Sequence, residues 1–124
     1  MLKRSLAIIA PGLALAFSAP LALATEGLTG TYRSQISKPA TIKGTWQVTF
    51  ASGHNTVTRN GHLVTHGTYT ISGSTITFKH GKKCDIAATY SFALKGTTLK
   101  FTKIKDTCTA GHRSQILAHT FTKV

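Results

Sequence analysis

The sequence predicts an all-β protein folded as an eight-stranded antiparallel up-and-down barrel with one disulfide. Apolar and polar residues alternate with a period of two through almost every segment after residue 24, as in half-buried strands. The connections between these segments are short and contain glycine, as in hairpins. Such a meander is expected to close into a barrel, because closure removes the unpaired edges of the sheet.

The first 24 residues are predicted to be a secretory signal peptide. Lys3 and Arg4 precede an apolar run, and Ala22-Leu23-Ala24 is a small-x-small cleavage sequence. The apolar run is short for a membrane anchor, which needs about 20 residues. We therefore expect a secreted or periplasmic domain formed by residues 25–124.

The composition is strongly basic. The chain has 15 lysines and arginines against three acidic residues, a net charge of +12, and removing the two basic residues of the signal leaves 13 against three, or +10. Such a charge suits contact with an anionic partner, although it is also compatible with solubility charge on loops. With three acidic residues and no catalytic, nucleotide-binding or metal-binding motif, the protein is not expected to be an enzyme or to hold a cofactor or metal.

The segments follow one another in a regular order. The predicted strands cover residues 28–32, 44–50, 54–59, 63–72, 74–79, 86–94, 98–102 and 116–123. Asn60-Gly61 is the strongest hairpin signal, and residues 34–41 are expected to form a linker or a short helical turn. The large residues predicted to point into the barrel are Trp46, Tyr69, Phe78, Tyr90, Phe101 and Phe121.

The same alternation predicts which residues share one face in the sixth strand and in the last strand. In the sixth strand, Ile86 is expected to share a face with the apolar residues at 88, 90, 92 and 94, which alternate with smaller or polar ones. In the last strand, Leu117, His119 and Phe121 are expected to share the inward face, which makes His119 a core histidine.

Cys84 and Cys108 are the only cysteines and flank one predicted hairpin. Its Lys95-Gly96 turn lies midway between them, so both cysteines fall at the open end of the hairpin. A disulfide between them is therefore expected in an exported protein.

The strand order assigns residues to the two ends of the barrel. We define the near end as the end at which the strand of Trp46 begins, and the far end as the opposite one. Arg113 is predicted to stack on Trp46 and to pair with Asp106, forming a structural closed end, and a solvated Arg113 is the alternative. A basic patch is predicted at the same end, formed by Lys79, Lys82, Lys83, Lys103 and Lys105.

A family resemblance covers most of residues 25–124. The sequence resembles the small bacterial secreted lipocalin-like domains in the order of its motifs, which are Gly44-Thr45-Trp46, residues 67–71, Cys84, residues 99–101, residues 106–108 and Arg113. The resemblance implies an eight-stranded up-and-down barrel with Gly-x-Trp on an early strand. It also implies a basic residue packed near the tryptophan at the closed end, for which Arg113 is the candidate.

Two functions are compatible with the sequence. The first is a lipocalin-like binding protein that holds a small hydrophobic or amphipathic molecule at the far end. Its candidate ligand-binding residues are Phe50, Arg59, Ile71, Tyr90, Phe92 and Leu117. A barrel filled by its own side chains is an equally good interpretation, since eight strands enclose little space.

The alternative function is a partner-binding barrel whose basic near end contacts an anionic surface or inhibits a hydrolase. No specific nucleic-acid contact is expected, because no aromatic residues interleave the basic loops. The protein is expected to be a monomer.

Overall fold

The computed structural model describes residues 28–82 and 84–124. It is a closed barrel of eight antiparallel strands in sequential order, which confirms the predicted fold class. The strands are β1 (Gly30–Ile36), β2 (Gly44–Ala51), β3 (His54–Arg59), β4 (His62–Ser72), β5 (Thr75–Lys79), β6 (Ala88–Lys95), β7 (Thr98–Lys105) and β8 (Phe121–Lys123). The predicted signal peptide, residues 1–24, lies outside the described residues.

Two-residue turns join several of these strands. Asn60 and Gly61 connect β3 to β4 with φ values of 51° and 83°, which suits a turn that follows the right-handed twist of the strands. The turn between β6 and β7 is formed by residues 96–97, one residue later than predicted. Gly96 adopts φ 59° there, so glycine stands at the position that requires it.

Aromatic rings fill much of the barrel interior. The ring of Phe50 lies 5.2 Å from Tyr69 and 6.4 Å from Phe78, and Phe78 lies 6.0 Å from Tyr90. Edge-to-face contacts continue the network to residues 101 and 121. All six large residues predicted to point inward are buried, so the period-two alternation located the core correctly.

The C-terminal part of the chain differs from the prediction. A short helix, α1 (Arg113–Leu117), replaces the first part of the strand predicted over 116–123. Ile116 and Leu117 are both buried, which a helix allows for neighbouring residues, whereas neighbours in a barrel strand with one face in solvent alternate between core and surface. His119 is half-buried in the turn after α1, where its N–H donates to the Ile116 carbonyl at 3.2 Å, so its prediction as a core strand residue is wrong.

The short β8 closes the barrel at the far end. Thr122 pairs with Thr98 of β7 and with Arg33 of β1, and Lys123 pairs with Tyr32. Nearer the other end, β7 runs on beyond β8, and α1 packs against it. The near end is therefore completed by a helix and loops instead of by an eighth full-length strand.

Other boundaries also differ from the sequence prediction, and β7 runs to Lys105, three residues past its predicted end. β1 continues to Ile36 and so includes residues 34–36 of the predicted linker, and a 3-10 turn (Ala40–Ile42) overlaps the end of the predicted 34–41 range. β6 begins at Ala88, so Ile86 lies in the preceding loop and is 56% exposed. Its predicted inward position is therefore wrong. None of the helices in the described ranges is long and apolar enough to cross a membrane.

Candidate functional site

The disulfide ties two near-end loops together. Cys84 and Cys108 are bonded with a Cα–Cα distance of 5.8 Å, which confirms the predicted pair. Cys84 lies in the loop between β5 and β6, and Cys108 lies between β7 and α1. The bond therefore fixes the two loops that frame one side of the near end.

A buried ionic network lies beside the disulfide. The Asp106 side chain has no exposed surface, and Arg113 donates to its two oxygens from Nε at 2.8 Å and from Nη2 at 2.9 Å. The Tyr90 hydroxyl donates to the same carboxylate at 2.5 Å, and the Cys108 amide donates at 3.1 Å. Arg113 also donates to the Ile86 carbonyl at 3.1 Å, so the predicted Arg113–Asp106 pair is confirmed and also anchors the loop before β6.

The network shifts two acid–base equilibria. Burial raises the pKa of Asp106, but the hydrogen bonds from Arg113, Tyr90 and the Cys108 amide outweigh burial, and its pKa lies below the ordinary value. Burial raises the pKa of Tyr90, and its hydrogen bond to Asp106 raises it further. The site therefore holds an ionised carboxylate and a neutral phenol at neutral pH.

The tryptophan at the start of β2 has a different cation on its ring from the one expected. Trp46 donates from Nε1 to the Ile42 carbonyl at 2.7 Å. The guanidinium of Arg59 lies 5.1 Å from the Trp46 ring centroid and donates from Nε to the Lys43 carbonyl at 3.0 Å. Arg59, at the end of β3, therefore occupies the role predicted for Arg113, because it sits directly opposite Trp46 in the strand register.

A cavity of about 90 Å³ opens at the near end. Its walls come from β2 to β5, from the loop after β5 and from the segment containing α1. The lining residues are Trp46, Val48, Asn55, Val57, Val64, Thr65, Phe78, Lys79, Gly81, Cys84, Gly111, Arg113, Ile116 and Leu117. Most of these side chains are apolar, and the polar ones are few, as in small-molecule sites.

The polar group of most interest in this wall is Asn55. Its side chain lines the cavity, only 8% of the residue is exposed, and its Oδ1 has no hydrogen-bond partner among the described residues. A buried acceptor without a partner costs about 1–3 kcal/mol. Sequence analysis did not single out Asn55, although its position in phase with Val57 on β3 places it on the inward face.

The loop after β5 forms part of the cavity wall through close backbone contact. The Lys82 amide donates to Thr65 Oγ1 at 2.7 Å. A Cβ on Gly67 would lie 2.6 Å from the Lys79 carbonyl oxygen, which is closer than atoms of this kind can approach. Gly67 therefore allows the loop to fold over β4, where it covers the side of the cavity.

The cavity does not lie where the predicted ligand-binding residues place it. Of the six, Leu117 lines it. Phe50 and Tyr90 are each 1% exposed and belong to the aromatic network. Ile71 and Phe92 are partly buried against the core, and both lie toward the far end of their strands. Arg59 lies at the near end beside Trp46, and not at a far-end mouth.

The predicted basic patch lies on near-end elements. Lys79 ends β5, Lys82 follows it, and Lys103 and Lys105 lie in the last part of β7. All four are exposed, and Lys83 lies outside the described residues. Asp85 is the exposed acidic residue in this part of the structure, and its carboxylate lies 3.4 Å from His80 Nδ1.

Within residues 28–82 and 84–124, no three histidine, cysteine or acidic side chains lie close enough to hold a metal ion. The chemistry that the site offers is therefore that of an apolar cavity with one buried acceptor and a cationic mouth. Comparisons with protein-family models, curated proteins and solved structures found no match to this chain.

Proposed function

We propose that the protein binds a small amphipathic molecule in the near-end cavity. The observation that carries this proposal is the unpartnered Oδ1 of Asn55 in an otherwise apolar wall. A ligand hydroxyl or N–H group at this point would satisfy the acceptor and recover the free energy lost by burying it. The resemblance to lipocalin-like domains supports the same class of function, with the ligand at the opposite end from the one first expected.

The volume limits the size of the bound group. Ligand pockets for larger molecules are about 300–1,000 Å³, and an engineered apolar cavity of about 150 Å³ holds benzene. A cavity of about 90 Å³ is smaller than this and therefore suits a short alkyl chain, with any further part of the ligand outside the mouth.

The charge at the entrance of the cavity determines which group is favoured at the outer end of the ligand. Lys79 lines the cavity and is exposed, so its ammonium group is available at the entrance. Arg113 also lines the cavity, but both of its bonds to Asp106 are already formed. We therefore expect the ligand to carry a donor group at its inner end, an apolar body, and a polar or anionic group near Lys79.

The protein contains its own reporter for the test. Trp46 is the only tryptophan, and it lines the cavity. Titration with a short alcohol such as 1-butanol should change the Trp46 emission and raise the melting temperature, since a ligand that binds the folded state stabilises it. The methyl ether of the same alcohol lacks the donor, and we expect it to bind about tenfold more weakly.

Three variants locate the binding. Asn55→Leu should remove the preference for alcohol over ether, because the unpartnered acceptor is gone. Val64→Phe should fill the cavity and abolish the response. Phe92→Ala, at the far end, is the control and should leave the response unchanged. A response that persists in Val64→Phe and disappears in Phe92→Ala would place the ligand at the far end and refute the near-end site.

The location of the protein is part of the same proposal. We infer an exported, secreted or periplasmic protein, supported by the disulfide, since such bonds persist in oxidising compartments. The measurement that checks this inference is the N-terminal sequence of the protein recovered from its host, for which we expect Thr25.

A further inference from the structure

The exposed apolar side chains are unevenly distributed over the described surface. Four large ones are exposed, Leu63, Ile86, Ile104 and Val124, with 56–63% of each accessible. The first three belong to near-end elements, namely the start of β4, the loop before β6 and the end of β7. Val124 follows β8 at the far end, where its amide donates to the Thr31 carbonyl.

Positive charge has the same distribution. Exposed lysines in near-end loops and strand ends number six in the described residues, and they are Lys38, Lys43, Lys79, Lys82, Lys103 and Lys105. The far half of the barrel carries three, Lys95, Lys100 and Lys123. Because Asp106 is buried and paired, Asp85 is the exposed acidic side chain that offsets these lysines in the described part of the near end.

The last part of β7 carries both an exposed apolar side chain and exposed lysines, which alternate along the strand. Ile104 stands between Lys103 and Lys105 on β7, and it is 59% exposed. The segment of Ile86 is tied to the end of β7, since Arg113 bonds both the Ile86 carbonyl and Asp106, two residues beyond Ile104. The disulfide constrains the same two loops, so the isoleucines protrude from a rigid frame and need little ordering when they bind.

From this arrangement we propose that the near end docks on an anionic lipid surface. The lysines contact the phosphate headgroups, and Ile86 and Ile104 enter the boundary between headgroups and acyl chains, as the apolar face of an interfacial helix does. Nucleic acid would pair with the lysines but would leave the isoleucines without a partner. The inference does not depend on the ligand of the cavity.

The test uses the disulfide-bonded protein and sedimentation with vesicles of two compositions. Vesicles of phosphatidylcholine mixed with phosphatidylglycerol should bind it, whereas vesicles of phosphatidylcholine alone should bind it weakly. Salt should weaken the binding, and free inorganic phosphate at equal ionic strength should not compete with the vesicles beyond the effect of salt.

Charge-matched variants separate docking by one end from attraction by net charge. The pair Lys103→Ala and Lys105→Ala should lower the partition coefficient about 25-fold, since each lysine near an anionic surface contributes about fivefold. The pair Lys95→Ala and Lys123→Ala removes the same charge from the far end and should change it less than about twofold. Equal losses from the two pairs would overturn the proposal.

Substitution of the two exposed isoleucines tests whether the near end inserts into the lipid surface. Ile86→Ser with Ile104→Ser leaves the charge unchanged and should lower the partition coefficient at least tenfold, a conservative figure for two buried aliphatic side chains. Val124→Ser is the matched control at the far end and should bind like the wild type. Unchanged binding of the isoleucine variant would refute insertion, and retention on heparin without vesicle binding would assign the near end to an acidic polymer or protein instead.

Discussion

Replacing Asp106 by asparagine should destabilise the barrel more than any exposed substitution. The amide Oδ1 can keep the bonds from Arg113 Nη2 and the Cys108 amide, and the Tyr90 hydroxyl can turn to accept from Nδ2. Nδ2, however, then faces Arg113 Nε, whose present bond to the carboxylate is 2.8 Å long. The variant loses one charge-assisted bond and leaves a largely buried guanidinium unpaired, for a total of about 3 kcal/mol.

Chemical denaturation with the disulfide intact measures this loss. In thermal unfolding, a loss of about 3 kcal/mol should lower the melting temperature by roughly 12–24 °C in a domain of this size. Asp85→Asn is the control, since its side chain is 84% exposed, and it should change the free energy of unfolding by less than about 0.5 kcal/mol. The double variant with Arg113→Met should lose clearly less than the two single variants together.

The pH dependence gives an independent check. Because the pKa of Asp106 is lower in the folded state, the unfolded state binds more protons below pH ~4, and stability falls as the pH falls through the folded pKa. Asp106→Asn lacks this carboxyl, so its deficit relative to the wild type should shrink in acid. A deficit below about 1 kcal/mol at neutral pH, or one that is constant from neutral to acid pH, would refute the assigned role.

Three further outcomes follow from the same structure. Replacing Cys84 and Cys108 by alanine should cost about 3.5 kcal/mol by the chain-entropy model, given their separation of 24 residues; a fully reduced wild type that unfolds at the same urea concentration as the oxidised one would contradict this. Gly67→Ala should cost about 1–3 kcal/mol, since its Cβ would meet the Lys79 carbonyl oxygen, and the measurement is again urea unfolding. Stability should fall above pH ~10, where tyrosine ionises in the unfolded state but the raised pKa of Tyr90 keeps it neutral in the fold; an ultraviolet titration of the folded protein in which all three tyrosines ionise near pH 10 would count against it.

The alternation of side chains made the barrel predictable, because strand residues two apart share a face wherever the pairing is regular. It located the aromatic core, the Asn60-Gly61 turn and the two cysteines at one end. It failed at Ile86 and over 116–119, where the chain leaves the sheet. A period of two has no meaning in a loop or in a helix of five residues, and α1 is too short to show a helical period of its own.

The candidate site was less predictable than the fold. Strand counting brought Asp106 and Arg113 to one end, but it could not decide which cation covers Trp46, since that depends on the register between β2 and β3. The cavity results from α1 and the loop over Gly67, neither of which had a clear signal in the sequence. The sequence predicts a near end closed by Arg113 on Trp46, so it places any opening at the far end instead.

The brevity of β8 has a consequence for how the protein is assembled. Its three residues join β7 to β1, so a chain in which β8 has not yet paired would leave the edges of β7 and β1 unpaired. In such a chain the place of Phe121 in the interior is empty and the sheet can recruit foreign strands. Lysines at positions 100, 103 and 105 of β7 would disfavour such pairing at one of these edges, because charged side chains oppose the addition of a strand.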